Sequence, residues 1–259
     1  MRLKDKIALV TGASQGIGRV IACRMDAEGA RVVLTARNEP NLQKTSKLIA
    51  AAGGSSLVIP ADLADKKSLV NLIEKTLAEW GAIDILVNNS GIIGPTKRCE
   101  EISRQEWDEC MSVNMTGVFL LTQAALPAMK KNRSGTIINV GSVTGKRPLP
   151  GRMPYAAAKM ALVGFTRTLA FEVGDFGITA NVICPGSTEG PRIDRVCREM
   201  AIAEKISIED AATTFTAPAA LKRFVLPEDH AGICVFLASD DGANVTGQDI
   251  NVSGGLVWY

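Results

Sequence analysis

The chain reads as an α/β protein with a doubly wound parallel sheet of about seven strands and helices on both faces. Three observations predict this. Short β-branched runs alternate with longer helical patterns from end to end. The strand-like runs are apolar throughout rather than alternating, as in strands covered on both faces. Repeated βα units imply right-handed crossovers, and these make the sheet parallel.

The elements follow in order. Ile7–Thr11 reads as a strand and 16–28 as a helix; Val32–Ala36 as a strand and 40–52 as a helix; Leu57–Ala61 as a strand and 65–80 as a helix. Ile83–Asn88 is the fourth strand, followed by a long helix over about 106–132; Thr136–Gly141 is the fifth, followed by a helix over about 153–173. Thr179–Cys184 is a sixth strand, then a helix at 228–239 and a last strand at Asp249–Val252 close the pattern. Between them the βα rhythm fails at about 188–223. That excursion lies near the carboxyl ends of the strands, so 187–226 is a candidate lid. No linker, low-complexity tract or repeat divides the chain, and 1–259 reads as one domain.

Composition narrows the function classes. The chain has 259 residues, 46% hydrophobic and 22% charged, with a net charge of +2, so it carries no nucleic-acid footprint. No apolar run reaches the ~18–20 residues that span a bilayer. The N-terminus enters a strand without a signal-peptide core, which makes a cytoplasmic protein the expectation. Six cysteines are scattered without a CxxC, and His230 is the sole histidine, so no metal site is expected and the thiols read as reduced.

Two motifs carry the chemistry. Tyr155-Ala156-Ala157-Ala158-Lys159 sets a phenol and an ammonium one helical turn apart, on one face. A Lys⁺ beside a Tyr favours the phenolate, so the pair is expected to have a lowered phenol pKa and to serve as a general acid/base. Thr11-Gly12-Ala13-Ser14-Gln15-Gly16-Ile17-Gly18 follows the first strand and opens the first helix, where glycines let backbone N–H groups approach a pyrophosphate. After the second strand stands Arg37, with no carboxylate where one would take a ribose hydroxyl. This favours NADP(H) over NAD(H), the alternative being a solvated loop charge. Asp62-Leu63 is placed to meet an adenine edge, although Asp also caps helices. Asn88-Asn89-Ser90-Gly91 ends the fourth strand.

Together with Asn114, Ser142 and Pro185-Gly186, these motifs resemble the short-chain dehydrogenase/reductase family, in its branch of single-domain Rossmann-like subunits. The resemblance covers essentially the whole chain, in family order and spacing. It implies that Tyr155 is the acid/base, that Lys159 lowers its pKa and holds the nicotinamide ribose, and that Ser142 bonds the substrate oxygen. Asn114 would bind a water linking Lys159 to solvent, and Asn88 would steady the central strands and the cofactor. Gly12, Ser14, Gln15, Gly16, Ile17, Gly18, Ser90, Gly91, Pro185 and Gly186 would also line the cofactor site. The family often has a carboxamide-holding Thr where this chain has Gly190; Thr188 is the available substitute.

At the substrate end, Arg152 precedes Tyr155 by three residues, and Arg192, Arg195 and Arg198 follow one side of a helical stretch. A guanidinium there could hold a carboxylate, sulfonate or phosphate; a solvated face is the plainer alternative. The resemblance also implies a homotetramer. Val118, Phe119, Leu121, Ala125, Ala158, Ala161, Leu162 and Phe165 offer more apolar surface than one core face needs, and the Trp258-Tyr259 end is expected at a subunit interface. The leading expectation is an NAD(P)(H)-dependent oxidoreductase interconverting a small polar alcohol and ketone. A 3-oxoacyl carrier-protein reductase is one alternative, and a non-catalytic dinucleotide sensor or scaffold is another. A Ser–His hydrolase is disfavoured, because Ser142 lies outside a GxSxG pattern.

Overall fold

The structure is a computed structural model describing residues 1–259. Seven parallel strands form one sheet: β1 (Ile7–Thr11), β2 (Arg31–Thr35), β3 (Ser56–Val58), β4 (Ile85–Asn88), β5 (Gly135–Val140), β6 (Ile178–Pro185) and β7 (Asp249–Val252), in the order β3-β2-β1-β4-β5-β6-β7. The order reverses between β1 and β4, which pair through Ala8–Ile85 and Val10–Val87. Ligands of open α/β sheets bind outside the carboxyl ends of the strands at such a switch point.

The helices are α1 (Gly16–Ala27), α2 (Glu39–Ala51), α3 (Lys66–Trp80), α4 (Arg104–Met111), α5 (Gly117–Asn132), α6 (Val143–Lys146), α7 (Met153–Val173), α8 (Pro191–Glu204), α9 (Ile208–Thr216) and α10 (Pro227–Ala238). Successive strand residues face opposite layers. In β1, Ala8 and Val10 join Ile21, Met25, Leu42 and Val235 on one side of the sheet. Ile7 and Leu9 join Leu69, Leu72, Leu121 and Leu169 on the other. Both faces are dry, which is why the strand sequences do not alternate.

Local chemistry sets the ends. Asn38 caps α2 by accepting from Asn41 N at 3.0 Å, and Asp65 caps α3 through Lys67 N. Ser103 and Glu106 form a capping box at α4. Two departures from the sequence reading have local causes. The third strand ends at Val58 rather than Ala61, because Pro60 offers no N–H; Ile59 N and Ala61 N still reach Leu34 O and Ala36 O on either side of it. The long helix at 106–132 is α4 and α5 joined by a π-helical turn, Ser112–Thr116.

The excursion after β6 is α8 and α9 packed on each other around Cys197, Ala201 and Ala211, apart from the main core. A short parallel pairing of Thr188 with Val225 closes its base, through Glu189 N to Val225 O and Val225 N to Ser187 O, both 2.9 Å.

Candidate active site

The loop after β1 is built by contact. Asn89 Nδ2 donates to Thr11 O at 2.8 Å, and the backbone N–H groups of Asn89 and Ser90 donate to Thr11 Oγ1 at 2.9 Å. A Cβ on Gly12, where φ is +67°, would lie 2.6 Å from Asn89 Nδ2, and one on Gly18 would collide with Asn89 and the Gly12 carbonyl. Gly16 is the opposite case: its φ is +54° and nothing lies within 4 Å of the position a Cβ would take. Two glycines therefore serve close packing, while the third opens space at the N-terminus of α1. Gln15, the N-cap residue, makes no side-chain cap there. Unused helix N–H groups facing open space form an anion cradle. Arg19 braces the loop from α1: its guanidinium donates to Ser14 O and to Thr45 Oγ1, and Thr45 Oγ1 donates to Ala13 O at 2.8 Å. Asn89, Arg19 and Thr45 are absent from the sequence-level candidates. Asn89 had a signal, its place inside the Asn88–Gly91 motif; the other two reveal themselves only in three dimensions.

Arg37 stands exposed just past β2, beside the N-cap of α2. Asp62 Oδ1 accepts from Ala64 N at 3.0 Å, so this carboxylate also shapes its own turn. Leu63 is buried against Gly117, where a Cβ would sit 2.7 Å from Leu63 O. The Asn88 side chain is buried and points inward, donating to Thr122 Oγ1 at 3.2 Å and Asn139 Oδ1 at 2.8 Å, while Asn139 donates to Thr166 Oγ1. It ties β4 to β5 and the helices behind them.

Ser142, Tyr155, Lys159 and Asn114 are brought together by four elements. Ser142 follows β5 by two residues and caps α6, its Oγ accepting from Thr144 N at 3.1 Å. Gly145 lets α6 lie on α7, since a Cβ there would be 2.8 Å from Met160 N. On α7, Lys159 is 4% exposed. Its Nζ donates to Val140 O at 2.7 Å and lies 5.7 Å from the Tyr155 ring centre. Asn114 sits in the π turn, a feature common at functional sites. Its Nδ2 donates to Ile92 O and Cys110 O, both at 2.9 Å, and its buried Oδ1 has no partner. A Cβ on Gly91 would fall 2.6 Å from that Oδ1 and 3.4 Å from Lys159 Nζ, so the three groups converge on one spot.

Burial dominates the electrostatics of the site. It holds the Tyr155 phenol above its ordinary pKa; Arg192, the neighbouring Ser142 hydroxyl and Arg152 pull it down only in part. The pKa of Lys159 is itself lowered to about 8, by burial first and the Arg192 charge second. Burial outweighs the cations because the buried site penalises the phenolate more than they favour it. A protonated phenol beside a fixed hydroxyl is a proton donor aimed at a substrate oxygen.

Past β6, Gly186 passes Ser253 so closely that a Cβ would sit 2.8 Å from Ser253 Cα. Gly190 caps α8 at φ 137°, ψ 176°, a conformation reserved in practice for glycine. This explains why no Thr stands there. Thr188 Oγ1 donates to Gly186 O at 3.0 Å and pairs with His230 Nε2 at 2.8 Å. His230 is wholly buried, and burial lowers its pKa to about 4. Its partner is thus Thr188 and not Ser142.

The glycine cradle, the exposed Arg37, and the close meeting of Gly91, Asn114 and Lys159 lie at the carboxyl edge of the sheet beside the switch point. This is the shape and charge that an extended dinucleotide requires. The chain matches the family model described as short chain dehydrogenase over residues 6–201. It is 38% identical over 256 residues to the 3-oxoacyl-acyl-carrier-protein reductase of Escherichia coli (strain K12), covering 99% of both chains. It is 36% identical over 257 residues to the enzyme of the same name from Thermotoga maritima, covering 99% of this chain and 100% of that one. Among solved structures it superposes on a variant of actinorhodin polyketide ketoreductase crystallised with NADPH, with a TM-score of 0.93, 35% identity and 98% coverage of both chains. It superposes equally on levodione reductase, with a TM-score of 0.93, 32% identity and 98% coverage of both. By its family model, its relatives over their full length and its fold, the chain belongs to the short-chain dehydrogenase family.

Proposed function

We propose that this protein is an NADPH-dependent reductase of a small polar ketone, with Tyr155 as the proton donor. The observation that carries this is the convergence of a protonated Tyr155, Ser142, buried Lys159 and Asn114 beside a glycine cradle. When bound, the dinucleotide supplies the hydride for reduction or takes it in the reverse direction. Ser142 holds the substrate oxygen, and Tyr155 delivers its proton as negative charge develops there. Lys159, fixed by Val140 O, presents its remaining N–H groups towards the ribose side and towards Asn114. Asn114 Oδ1, a buried acceptor without a partner, holds the water that returns the proton from solvent. Gly12, Ser14, Gln15, Gly16, Ile17 and Gly18 cradle the pyrophosphate. Asp62, Leu63, Ser90, Gly91, Pro185, Gly186 and Thr188 line the rest of the cofactor's path.

Arg37 reads the 2′-phosphate, which favours NADP(H); the NADPH-bound ketoreductase supports the same choice. The segment at 187–226 acts as the lid over a single domain. The exposed faces of α5 and α7 support a homotetramer, and six free thiols with no helix long enough to cross a membrane support a cytoplasmic setting. The 3-oxoacyl carrier-protein reductase reading keeps the same chemistry on a carrier-bound substrate and is supported by the named relatives. Fluorescence titration with NADPH and NADH side by side tests the cofactor assignment. Much tighter NADPH binding that is lost in Arg37→Ala is expected, and equal or tighter NADH binding would overturn it.

A further inference from the structure

His230 takes no part in the proton chemistry of Tyr155, yet its ring reaches the wall of the cofactor site. It lies near the start of α10 and is wholly buried. A neutral imidazole carries one N–H, and here that proton sits on Nε2. Thr188 Oγ1, 2.8 Å away, spends its own proton on Gly186 O at 3.0 Å, so towards the ring it can only accept. A hydroxyl has one proton and two lone pairs. Thr188 has committed the proton and one lone pair inside the protein, and a single acceptor position is left. Its side chain is half-buried, so that position is open to a ligand. The backbone around it is fixed as well. Glu189 N donates to Val225 O, Val225 N to Ser187 O, and Gly186 N to Val252 O, each at 2.9 Å. This segment adjoins the turn that carries Ser142, because Gly141 N donates to Ile183 O on the next strand at 2.7 Å. The two sides of the site come from opposite layers. α10 packs with α1 on one face of the sheet, through Ala231, Cys234 and Val235 against Ile21 and Met25. α7, which carries Tyr155 and Lys159, packs on the other face through Leu169, Ala170 and Val173. The ends of β5 and β6 therefore meet Tyr155 from one layer and Thr188, held by α10, from the other.

We propose that His230 is a positioning residue: by donating to Thr188 Oγ1 it makes that hydroxyl an obligate acceptor for the amide N–H of the nicotinamide carboxamide. The arrangement gives this chain a carboxamide contact although Gly190 stands where the family often has a threonine. Were the hydroxyl to turn and donate to a ligand, Gly186 O would lose its proton donor and the buried imidazole N–H would lose its aligned acceptor. The pair thus selects for a ligand that offers an N–H at this point and against one that offers only a carbonyl oxygen. The proposal rests on the reading of the site as nicotinamide-dependent.

The test is calorimetric binding of NADP⁺ and of its 3-acetylpyridine analogue, whose acetyl group keeps the carbonyl but has no N–H. Wild type is compared with His230→Leu, His230→Gln and Thr188→Val, each checked for folding by circular dichroism. The wild type is expected to bind NADP⁺ more tightly than the analogue by about threefold to tenfold, the range of one neutral hydrogen bond. That ratio should fall below about twofold in His230→Leu and in Thr188→Val. It should be largely kept in His230→Gln, whose amide N–H can replace the imidazole N–H. A general loss of packing would weaken both ligands alike and leave the ratio unmoved. Thr188→Val carries the test of the acceptor if His230→Leu does not fold, and His230→Gln against wild type carries that of the donor. Equal affinity for the two ligands in the wild type, or a preference that survives Thr188→Val, overturns the acceptor. A preference lost in Thr188→Val and kept in a folded His230→Leu overturns the role of His230. Absence of binding by either ligand overturns the dehydrogenase reading and the proposal with it.

Discussion

Tyr155 keeps its proton because burial penalises the phenolate more than Arg192, Ser142 and Arg152 favour it. The Tyr155–Lys159 spacing places the two side by side on α7, but the net direction of the phenol pKa depends on how much water the fold leaves around it. No motif states that. His230 is the second residue whose meaning is spatial. Thr188 Oγ1 donates to Gly186 O and so accepts from His230 Nε2, which fixes the imidazole as the Nε2–H form with Nδ1 unpartnered. Because His230 is the only histidine, one pair of imidazole resonances in a nitrogen-15 spectrum checks that tautomer. The folded pKa of about 4 lies below the ordinary 6.5. Between those values the unfolded chain binds the extra proton. Stability from this group is therefore full above pH 6.5 and lost as pH falls towards 4, by up to roughly 3 kcal/mol. Urea unfolding of wild type and His230→Gln across that window should show a steeper acid loss in the wild type.

At the level of elements, the boundaries of α7 and β7 follow from periodicity and apolar runs alone. The long helix at 106–132 was legible as helix, while its π turn was not, because Ser112-Val113-Asn114 carries no breaker. The turn turns Asn114 towards Gly91 and Lys159. Asn114→Leu should slow turnover by about tenfold to 100-fold with NADPH binding preserved, since it removes the water-holding acceptor and not the cofactor wall. The Gly190 departure from the family pattern has a backbone cause that only coordinates reveal. Gly190→Thr should cost about 1–3 kcal/mol in thermal or chemical unfolding and loosen α8, seen as faster hydrogen exchange over Pro191–Glu204. Among the glycines, Gly12, Gly16 and Gly18 were predicted as one motif. The structure divides them between contact with Asn89 and open space.

The parallel sheet and its two packed faces were implicit in the βα rhythm, while the strand order comes from the structure. The apolar residues proposed for assembly divide: Val118, Leu121, Ala125, Ala158 and Leu162 are core, while Phe119, Ala161 and Phe165 reach the surface, with Phe119 and Phe165 packed edge to face at 6.4 Å. Phe171 is 92% exposed and Trp258 77% exposed, more apolar surface than a lone subunit normally leaves. Light scattering should give a tetramer's mass for the wild type and a smaller species for Ala161→Arg, which adds a charge to this outward face.

The central claim is that Tyr155 delivers the proton at a site that binds NADPH independently of it. Single-turnover oxidation of bound NADPH by a reducible ketone, compared in wild type and Tyr155→Phe at saturating cofactor, tests it most directly. The account predicts a rate lower by about 100-fold to 10,000-fold in the variant, with NADPH affinity changed less than about twofold. An unchanged rate at full NADPH occupancy would contradict it.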